Sequence, residues 1–245
     1  TRLLYAGLAL AALTMSASCS DAMRHRAATL KAIAGAVASE NQAPREQAEG
    51  GDDLLRAVTP DSVPSMILER TGYVTSYNKN TKLPNWVAWH LTAEHTKGSH
   101  NRKGIDFMED EDVPTPRADD WDYYNSRYDR GHMCPAGDNK WDSEAMRQSF
   151  LFTNICPQAP GLNRGDWNEM ENACRNWARE NGDIYIVCGP VLYKGRHKTI
   201  GKHKVVVPEA FFKVVLCMRG TPKAIGFIYK NGDGNRPKGD YVNSV

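Results

Sequence analysis

YDRGHMCPAGDNKW, residues Tyr128–Trp141, is the stretch that decides how this chain is interpreted. It puts Asp129, Arg130 and His132 close together, just ahead of a turn rich in proline and glycine. The guanidinium of Arg130 is permanently charged and suits a phosphate, while a neutral His132 can take a proton from water near neutral pH. The cluster therefore favours phosphate-ester chemistry. An ordinary polar loop, in which Asp129 pairs with Arg130, is the alternative interpretation.

A second polar segment, TNICPQAPGLNRGDWNEME, spans Thr153–Glu171. It supplies Asn154, Gln158, Asn163 and Glu171, whose side chains carry oxygen atoms and have few other reasons to lie between a strand and a helix. Oxygen donors of this kind are the ligands that a hard cation such as magnesium prefers. The segment therefore predicts a site for a divalent cation.

Together the two segments resemble the DNA/RNA non-specific endonucleases, which are sugar-non-specific nucleases of the ββα-metal type. The resemblance rests on the order Asp-Arg-Gly-His, Asn-x-x-Pro-Gln, Leu-Asn-x-Gly-x-Trp and then a Glu. It extends over Pro64–Val245 and includes the segments Arg70–Asn78, Pro84–Thr92 and Ile184–Val191. It implies an α+β fold of the ββα-metal nuclease type, in which a central, mostly antiparallel sheet is flanked by helices and carries long active-site loops.

The resemblance also implies a role for the main polar residues. His132 matches the general base, and its second ring nitrogen is expected to donate to a backbone carbonyl or a carboxylate. Asn163 matches the direct protein ligand of Mg²⁺, with Mn²⁺ or another divalent cation as the alternative, and Glu171 matches the residue that binds the metal through a water. Arg130 and Arg175 match positions that bind phosphate or stabilise the transition state. A simple helix salt bridge is the alternative for Glu171 and Arg175, which stand one turn apart.

Other residues complete the predicted site. Asn154 is placed in the catalytic set, where it organises the site together with Gln158. Asp129 is expected to orient the loop on the substrate-binding side, alongside Gln158.

A long polar loop between His95 and Trp121 is punctuated by glycine and proline, and we expect it to fold over the catalytic face. Arg102 and Arg117 lie in it and are candidates for phosphate contacts, although each is also typical of an ordinary surface charge.

The predicted function is a metal-dependent, sequence- and sugar-non-specific endonuclease whose substrates are DNA and RNA. The alternatives are a catalytically inactive nucleic-acid-binding module and a structural surface lipoprotein. A formal net charge of +2 does not identify a nucleic-acid binder. The basic run Lys194–Lys204 contains no acid; it suits a phosphate backbone, and a solvated hairpin loop is the equal alternative.

The first residues are apolar up to Leu13 and lead through small residues to Cys19, which is typical of a secretory signal and resembles a lipoprotein cleavage box. We therefore expect a signal sequence at 1–19, with a lipidated Cys19 as a possible membrane tether, and a flexible tether at 20–59 that lacks aromatic residues. The expected location is outside a bacterial cytoplasm: secreted, periplasmic or lipid-anchored at the cell envelope. No segment has the length of a transmembrane span.

The expected endonuclease domain is 60–245, and 41% hydrophobic residues suffice for one core. Family members usually continue through another helical segment, so a domain truncated at its C-terminus is one interpretation. Five cysteines follow Cys19, of which an exported protein can oxidise four, and Cys188 is expected to be a buried strand residue.

Alternation and β-branched residues predict strands within Arg70–Asn78, Trp86–Thr92, Ser149–Ile155, Ile184–Cys188, Val205–Val207, Phe211–Met218 and Ala224–Ile228. A capping box at Asp166 and Glu169 predicts a helix that runs to about Glu180. Its core-facing stripe is Trp167, Met170, Cys174 and Trp177.

Overall fold

The computed structural model describes residues 53–234 and 236–245. The predicted signal sequence and the predicted tether up to residue 52 lie outside the described residues. The last part of that tether contacts the domain, because the indole of Trp86 donates a hydrogen bond of 2.8 Å to the Thr59 hydroxyl.

Seven strands form one sheet in which every neighbouring pair is antiparallel, in the order β1-β2-β3-β6-β9-β10-β11. Their bounds are β1 Met66–Glu69, β2 Val74–Asn78, β3 Leu83–Thr92, β6 Asp183–Val191, β9 Ala210–Cys217, β10 Lys223–Lys230 and β11 Val242–Asn243. Two small antiparallel pairs stand apart from this sheet: β4 Asp129–His132 with β5 Ile155–Gln158, and β7 Thr199–Ile200 with β8 Val205–Val206.

In the described ranges four α-helices accompany the sheets: α1 Asp120–Tyr123, α2 Ser143–Gln148, α3 Pro160–Leu162 and α4 Asn168–Asn181. A π-helical segment, Asn163–Trp167, joins α3 to α4 and is kinked at Gly165. The helix α4 ends at Gly182, whose φ of 92° is a conformation that glycine adopts without steric cost. Strands β4 and β5 followed by α4 form a strand–strand–helix unit. The predicted α+β class of the ββα-metal type is confirmed.

The core lies between α4 and the central sheet. Met170, Cys174 and Ala178 of α4 are buried, and the ring of Trp177 stacks on Phe227 of β10. These contacts confirm the predicted core-facing stripe. Burial alternates along β9, as expected when one face of a strand faces the core. In that pattern Lys213 takes a core position and is fully buried.

Two element predictions are wrong. Ser149–Ile155 is not a strand, because the backbone N–H of Asn154 donates to the Leu151 carbonyl at 2.8 Å and closes a tight turn. The backbone of Met108 bonds on either side of that turn's start: its N–H donates to the Phe150 carbonyl, and its carbonyl accepts from the Phe152 N–H. The strand β5 begins only at Ile155.

The predicted capping box at the start of the long helix is also absent. Helical backbone continues from the segment Asn163–Trp167 into α4, so α4 has no free first turn to cap. Asp166 instead accepts a hydrogen bond from the hydroxyl of Tyr241.

In the described part of the chain, we find no helix with both the length and the apolar character of a bilayer span.

Candidate active site

The strand β4 carries the Asp-Arg-Gly-His motif and pairs with β5, opposing Asp129 to Gln158 and His132 to Ile155. Gly131 lies against the side chain of Gln158, since a Cβ at this glycine would come within 2.2 Å of Gln158 Oε1. Only glycine allows the two strands this approach. Gln158 is fully buried, and its amide has no hydrogen-bond partner among the described residues.

His132 lies between two aromatic rings, 5.4 Å from Phe107 and 5.0 Å from Phe150 between centroids. Its Nε2 is buried and has no hydrogen-bond partner within the described residues. Burial lowers the pKa of His132 to about 3, and the positive charge of Arg102 acts in the same direction. The imidazole is therefore neutral at neutral pH, which is the protonation state that a proton acceptor needs. The predicted bond from its second nitrogen to a carbonyl or carboxylate is not seen in residues 53–234 and 236–245.

Two hydrogen bonds hold the segment Asn163–Trp167 alongside β4. Asn163 Nδ2 donates to Asp129 Oδ2 at 2.9 Å, and Trp167 Nε1 donates to the His132 carbonyl at 3.1 Å. The first bond fixes the amide of Asn163, so that Oδ1 points away from Asp129. The segment Asn163–Trp167 is thus bonded to both ends of β4, through Asp129 at one end and His132 at the other.

Asp129 acts as the anchor of this arrangement. Both of its oxygens accept from Arg164, at 2.7 Å each. Burial acts to raise the pKa of Asp129, but the hydrogen bonds from Arg164 and Asn163 outweigh it and hold that pKa below its usual value. The carboxylate therefore stays charged and accepts hydrogen bonds from both Arg164 and Asn163.

Glu171 follows on α4, one turn after Trp167. Burial raises the pKa of Glu171 to about 7, against the opposing effect of the Lys213, Arg175 and Arg102 charges. In the described part of the chain its carboxylate makes no hydrogen bond or ion pair. The positive charge of Arg102 lowers the pKa of both His132 and Glu171.

Arg130 and Arg102 provide positive charge beside the imidazole. Arg130 Nε donates to Asp120 Oδ1 at 2.5 Å, and its guanidinium lies 5.6 Å from the centre of Phe107 and 5.7 Å from that of Tyr123. The exposed Arg102 lies 5.4 Å over the ring of Phe150, the ring that also contacts His132. Both arginines thus contact an aromatic ring that also contacts His132.

The contacts of Arg175 and Asn154 are structural. Arg175 does not pair with Glu171; its Nη1 donates at 2.8 Å to Asp138, a fully buried carboxylate that also accepts from Trp89. A buried carboxylate needs a charged partner, and Arg175 therefore pairs with Asp138 instead of Glu171. Asn154 is fully buried, and its amide hydrogen-bonds to the backbone of Cys134 and Ser149.

Arg117 is not brought to His132. Its Nε donates to Glu109 at 2.8 Å and its Nη1 donates to the Val113 carbonyl. Arg117 therefore links two parts of the long loop to each other. The loop still supplies Phe107 and Arg102 to the site.

Two oxygen donors of the site fit a divalent cation. Asn163 Oδ1 and the carboxylate of Glu171 accept no hydrogen bond from any described residue, and both are ligand types that Mg²⁺ takes. A different cluster, formed by Asp119, Asp122 and His203, brings its ligand atoms within 4.8 Å of one another. Its groups are already bonded, because Asp122 accepts from the Asp119 N–H and bonds to His203 Nδ1 at 2.9 Å. That cluster fastens a loop onto α1.

Sequence reasoning missed Lys213, Asp138 and Phe107. Lys213 stands in phase with Phe211 and Val215 in an apolar strand, and this period of two was a usable signal for a buried lysine. Its Nζ lies 4.2 Å from the centre of Trp167 and has no hydrogen bond within the described residues. No local pattern marked Asp138 or Phe107, whose roles depend on distant partners.

The chain was compared with known proteins. A sequence model of the DNA/RNA non-specific endonuclease family matches residues 50–244. The chain belongs to this family. Nucleases of the family depend on a divalent metal.

Several relatives in the family are similar to this chain. Nuclease EXOG, mitochondrial, of Danio rerio is 35% identical over 187 residues, which are 71% of this chain and 54% of the relative. Endonuclease G, mitochondrial, of Bos taurus is 34% identical and covers 62% of this chain and 54% of the relative. Nuclease C1 of Cunninghamella echinulata is 38% identical over 64% of this chain and 67% of the relative. The chain spans about half the length of the first two.

A solved structure from the family is also similar. The crystal structure of the EndoG/EndoGI complex contains a chain that matches with a TM-score of 0.72 and 26% identity, over 82% of this chain and 88% of that chain.

These comparisons correct the predicted location. Export from a bacterial cell is wrong, because the relatives include mitochondrial nucleases of animals rather than exported bacterial proteins. They lend no support to the lipid tether, and Cys19 lies outside the described residues. The disulfides that an exported protein could form are not seen among the described residues, where all five cysteines are free and buried, with Cys188 on β6.

Proposed function

We propose that this protein is a divalent-metal-dependent endonuclease that hydrolyses phosphodiester bonds in DNA and RNA without selecting base sequence or sugar. One observation carries the proposal. A neutral imidazole with an unbonded Nε2 lies on the same strand, β4, to which Asn163 is clamped through Asp129. The names of the relatives, endonuclease G and nuclease EXOG, support the same activity.

His132 is the proposed general base. Its low pKa keeps the ring neutral, and the aromatic walls of Phe107 and Phe150 limit its rotation. The imidazole accepts a proton from the attacking water as the water oxygen adds to phosphorus. The bond from phosphorus to the 3′ oxygen breaks in the same reaction, and the departing oxygen takes a proton from solvent. After the reaction the ring must lose that proton, and its low pKa favours rapid release to solvent.

Asn163 and Glu171 are the proposed holders of Mg²⁺, with Asn163 as the direct ligand and Glu171 acting through water. When bound there, the cation supplies a Lewis acid that polarises the phosphoryl oxygens and stabilises negative charge. A neutral amide ligand leaves the positive charge undiluted toward the phosphate. Burial raises the pKa of Glu171 and so disfavours its charged form, whereas a cation close to the carboxylate would favour that form.

Arg102 and Arg130 are the proposed phosphate-binding groups. Arg130 is held by Asp120 and two aromatic rings, so part of its ordering cost is already met before substrate arrives. Asn154 and Arg175 hold the loop after His132 in place, and Gln158 supports Gly131. Contacts of this kind reach phosphate and carry no base information, so we expect weak discrimination among DNA and RNA substrates.

A digestion assay tests the proposal. Purified protein is incubated with plasmid DNA and with single-stranded RNA, with Mg²⁺ and with EDTA. We expect both substrates to be cut only with the metal. His132→Ala should lower kcat by about 10²- to 10⁴-fold, the usual worth of a general base.

Matched variants separate metal holding from folding. Asn163→Ala should raise the Mg²⁺ concentration needed for half-maximal activity, whereas Asn176→Ala, on the exposed side of α4, should leave it unchanged. Cutting that persists in EDTA, or parental rates in both His132→Ala and Asn163→Ala, would contradict the proposal. Replacement of Mg²⁺ by Mn²⁺ in the same assay tests the choice of cation.

A further inference from the structure

A positively charged pocket lies at the start of β4, away from His132. It has a volume of about 360 Å³, and six residues of its wall matter here: Tyr128, Tyr193, Lys194, Arg196, Lys198 and Lys230. We call it the basic pocket. It contains part of the basic run Lys194–Lys204, which the proposed chemistry does not use.

The cations of the basic pocket are not neutralised by the protein. Lys194, Arg196, Lys198 and Lys230 are exposed and form no ion pair with any residue in the described ranges. The one acid in the wall, Glu209, is occupied, because it bonds to His197 Nδ1 at 3.0 Å and accepts from the Tyr193 N–H at 3.2 Å. The pocket therefore presents an excess of positive charge to solvent.

Lys198 is positioned rather than free to swing. Its Nζ lies 4.8 Å from the centre of the Tyr128 ring and donates to the Tyr128 hydroxyl at 3.3 Å. A cation–π contact and a hydrogen bond together hold the ammonium over the pocket. An ordered ammonium with no anionic partner suits a phosphate group.

The basic pocket is continuous with the catalytic strand. Tyr128 directly precedes Asp129, which anchors Asn163. Asn231 of the opposite wall bonds to the backbone of Pro157 and Ala159, on either side of Gln158. Four residue steps from Tyr128 to His132 span about 13 Å along the strand.

We propose that the basic pocket binds the phosphate backbone of the substrate strand on one side of the scissile phosphate. A strand that advances by roughly 3.4 Å per nucleotide covers the distance from His132 in about four nucleotides. This proposal rests on the proposed nuclease function and adds to it: the pocket gives preference for substrates long enough to reach it, without any preference for sequence.

Binding measurements with a long and a short ligand test the pocket. The His132→Ala protein is mixed with a labelled oligonucleotide of about 20 nucleotides or with a dinucleotide, in EDTA, and fluorescence anisotropy is recorded across salt concentrations. In this background Lys198→Ala should weaken binding of the long ligand about eightfold at about 50 mM salt and reduce the salt slope by about 0.7. Binding of the dinucleotide should not change.

Two control variants make the result specific. Lys198→Arg keeps the charge and should bind the long ligand nearly as the parent does. Lys223→Ala removes an exposed lysine from the far end of β10, the strand that carries Lys230, and should change nothing.

The outcomes distinguish this inference from the function on which it rests. Equal affinities of Lys198→Ala and Lys223→Ala for the long ligand would overturn the pocket, as would an equal loss for both ligand lengths in Lys198→Ala. If the parent cuts nucleic acid in either case, the nuclease function stands alone. If the parent cuts nothing, the nuclease function fails, whatever the binding shows.

Discussion

Replacing Asn154 is expected to unfold the region behind the active site rather than to remove a chemical group. Its buried amide accepts from the Cys134 N–H at 2.9 Å and donates to the carbonyls of Cys134 and Ser149 at 2.8 Å each. Asn154→Ala leaves these three backbone groups buried without partners. Each costs about 1–3 kcal/mol, so a loss of at least about 3 kcal/mol in the free energy of unfolding is expected.

Urea unfolding measures this loss. With a slope of about 2 kcal/mol per M, the midpoint of Asn154→Ala should fall by about 1.5 M. Asn154→Asp should be no better, because a second oxygen then faces the two carbonyls. Asn176→Ala, an exposed asparagine on α4, should stay within about 0.5 kcal/mol of the parent.

Activity separates positioning from chemistry at this residue. Asn154→Ala should lower kcat through displacement of His132, whose loop Asn154 holds, while the pH dependence of the remaining activity keeps the parental shape. A midpoint within roughly 0.3 M of the parent, combined with an altered pH profile, would refute the structural role and favour a direct one.

Other perturbations have equally definite expectations. The pKa of His132 is about 3 in the folded state and 6.5 in the reference state, so the unfolded chain binds more protons between these two pH values. The free energy of unfolding should therefore fall by up to a few kcal/mol as the pH drops from 6.5. His132→Gln should reduce this fall in acid-unfolding curves. Gly131→Ala should cost about 1–3 kcal/mol in chemical denaturation, because the new Cβ overlaps Gln158; a parental midpoint would contradict this packing.

Local patterns predicted β2, β3, β6, β9 and β10 of the central sheet but not its outer strands β1 and β11. The strands β3, β6, β9 and β10 are rich in β-branched and aromatic residues, and the structure has them within a few residues of the predicted bounds. The pair of β4 and β5 carried no such pattern. Asp129–His132 is polar, and its strand conformation comes from pairing with β5 and from the bond between Trp167 and the His132 carbonyl.

The motifs identified the cluster of the candidate site but not what its members touch. Arg175 was expected near phosphate or Glu171, yet the buried carboxylate of Asp138 takes it, and nothing in the sequence marked Asp138 as buried. Arg117 and Arg102 stand in the same polar loop, and both were candidates for phosphate contacts. The path of the folded loop decides their contacts: Arg102 lies over the ring of Phe150, whereas Arg117 donates a hydrogen bond to Glu109.

The buried free thiols have a practical consequence. Burial raises the pKa of Cys134 and Cys156 well above the ordinary value, and that of Cys174 and Cys188 to about 12, so all four stay protonated and hidden from alkylating reagents while the fold is closed. Each thiol can react only when its own neighbourhood opens. The protein thus carries native labelling sites on β5, α4 and β6 and behind His132, from which pulse alkylation and mass spectrometry could rank the order of local opening without any introduced probe.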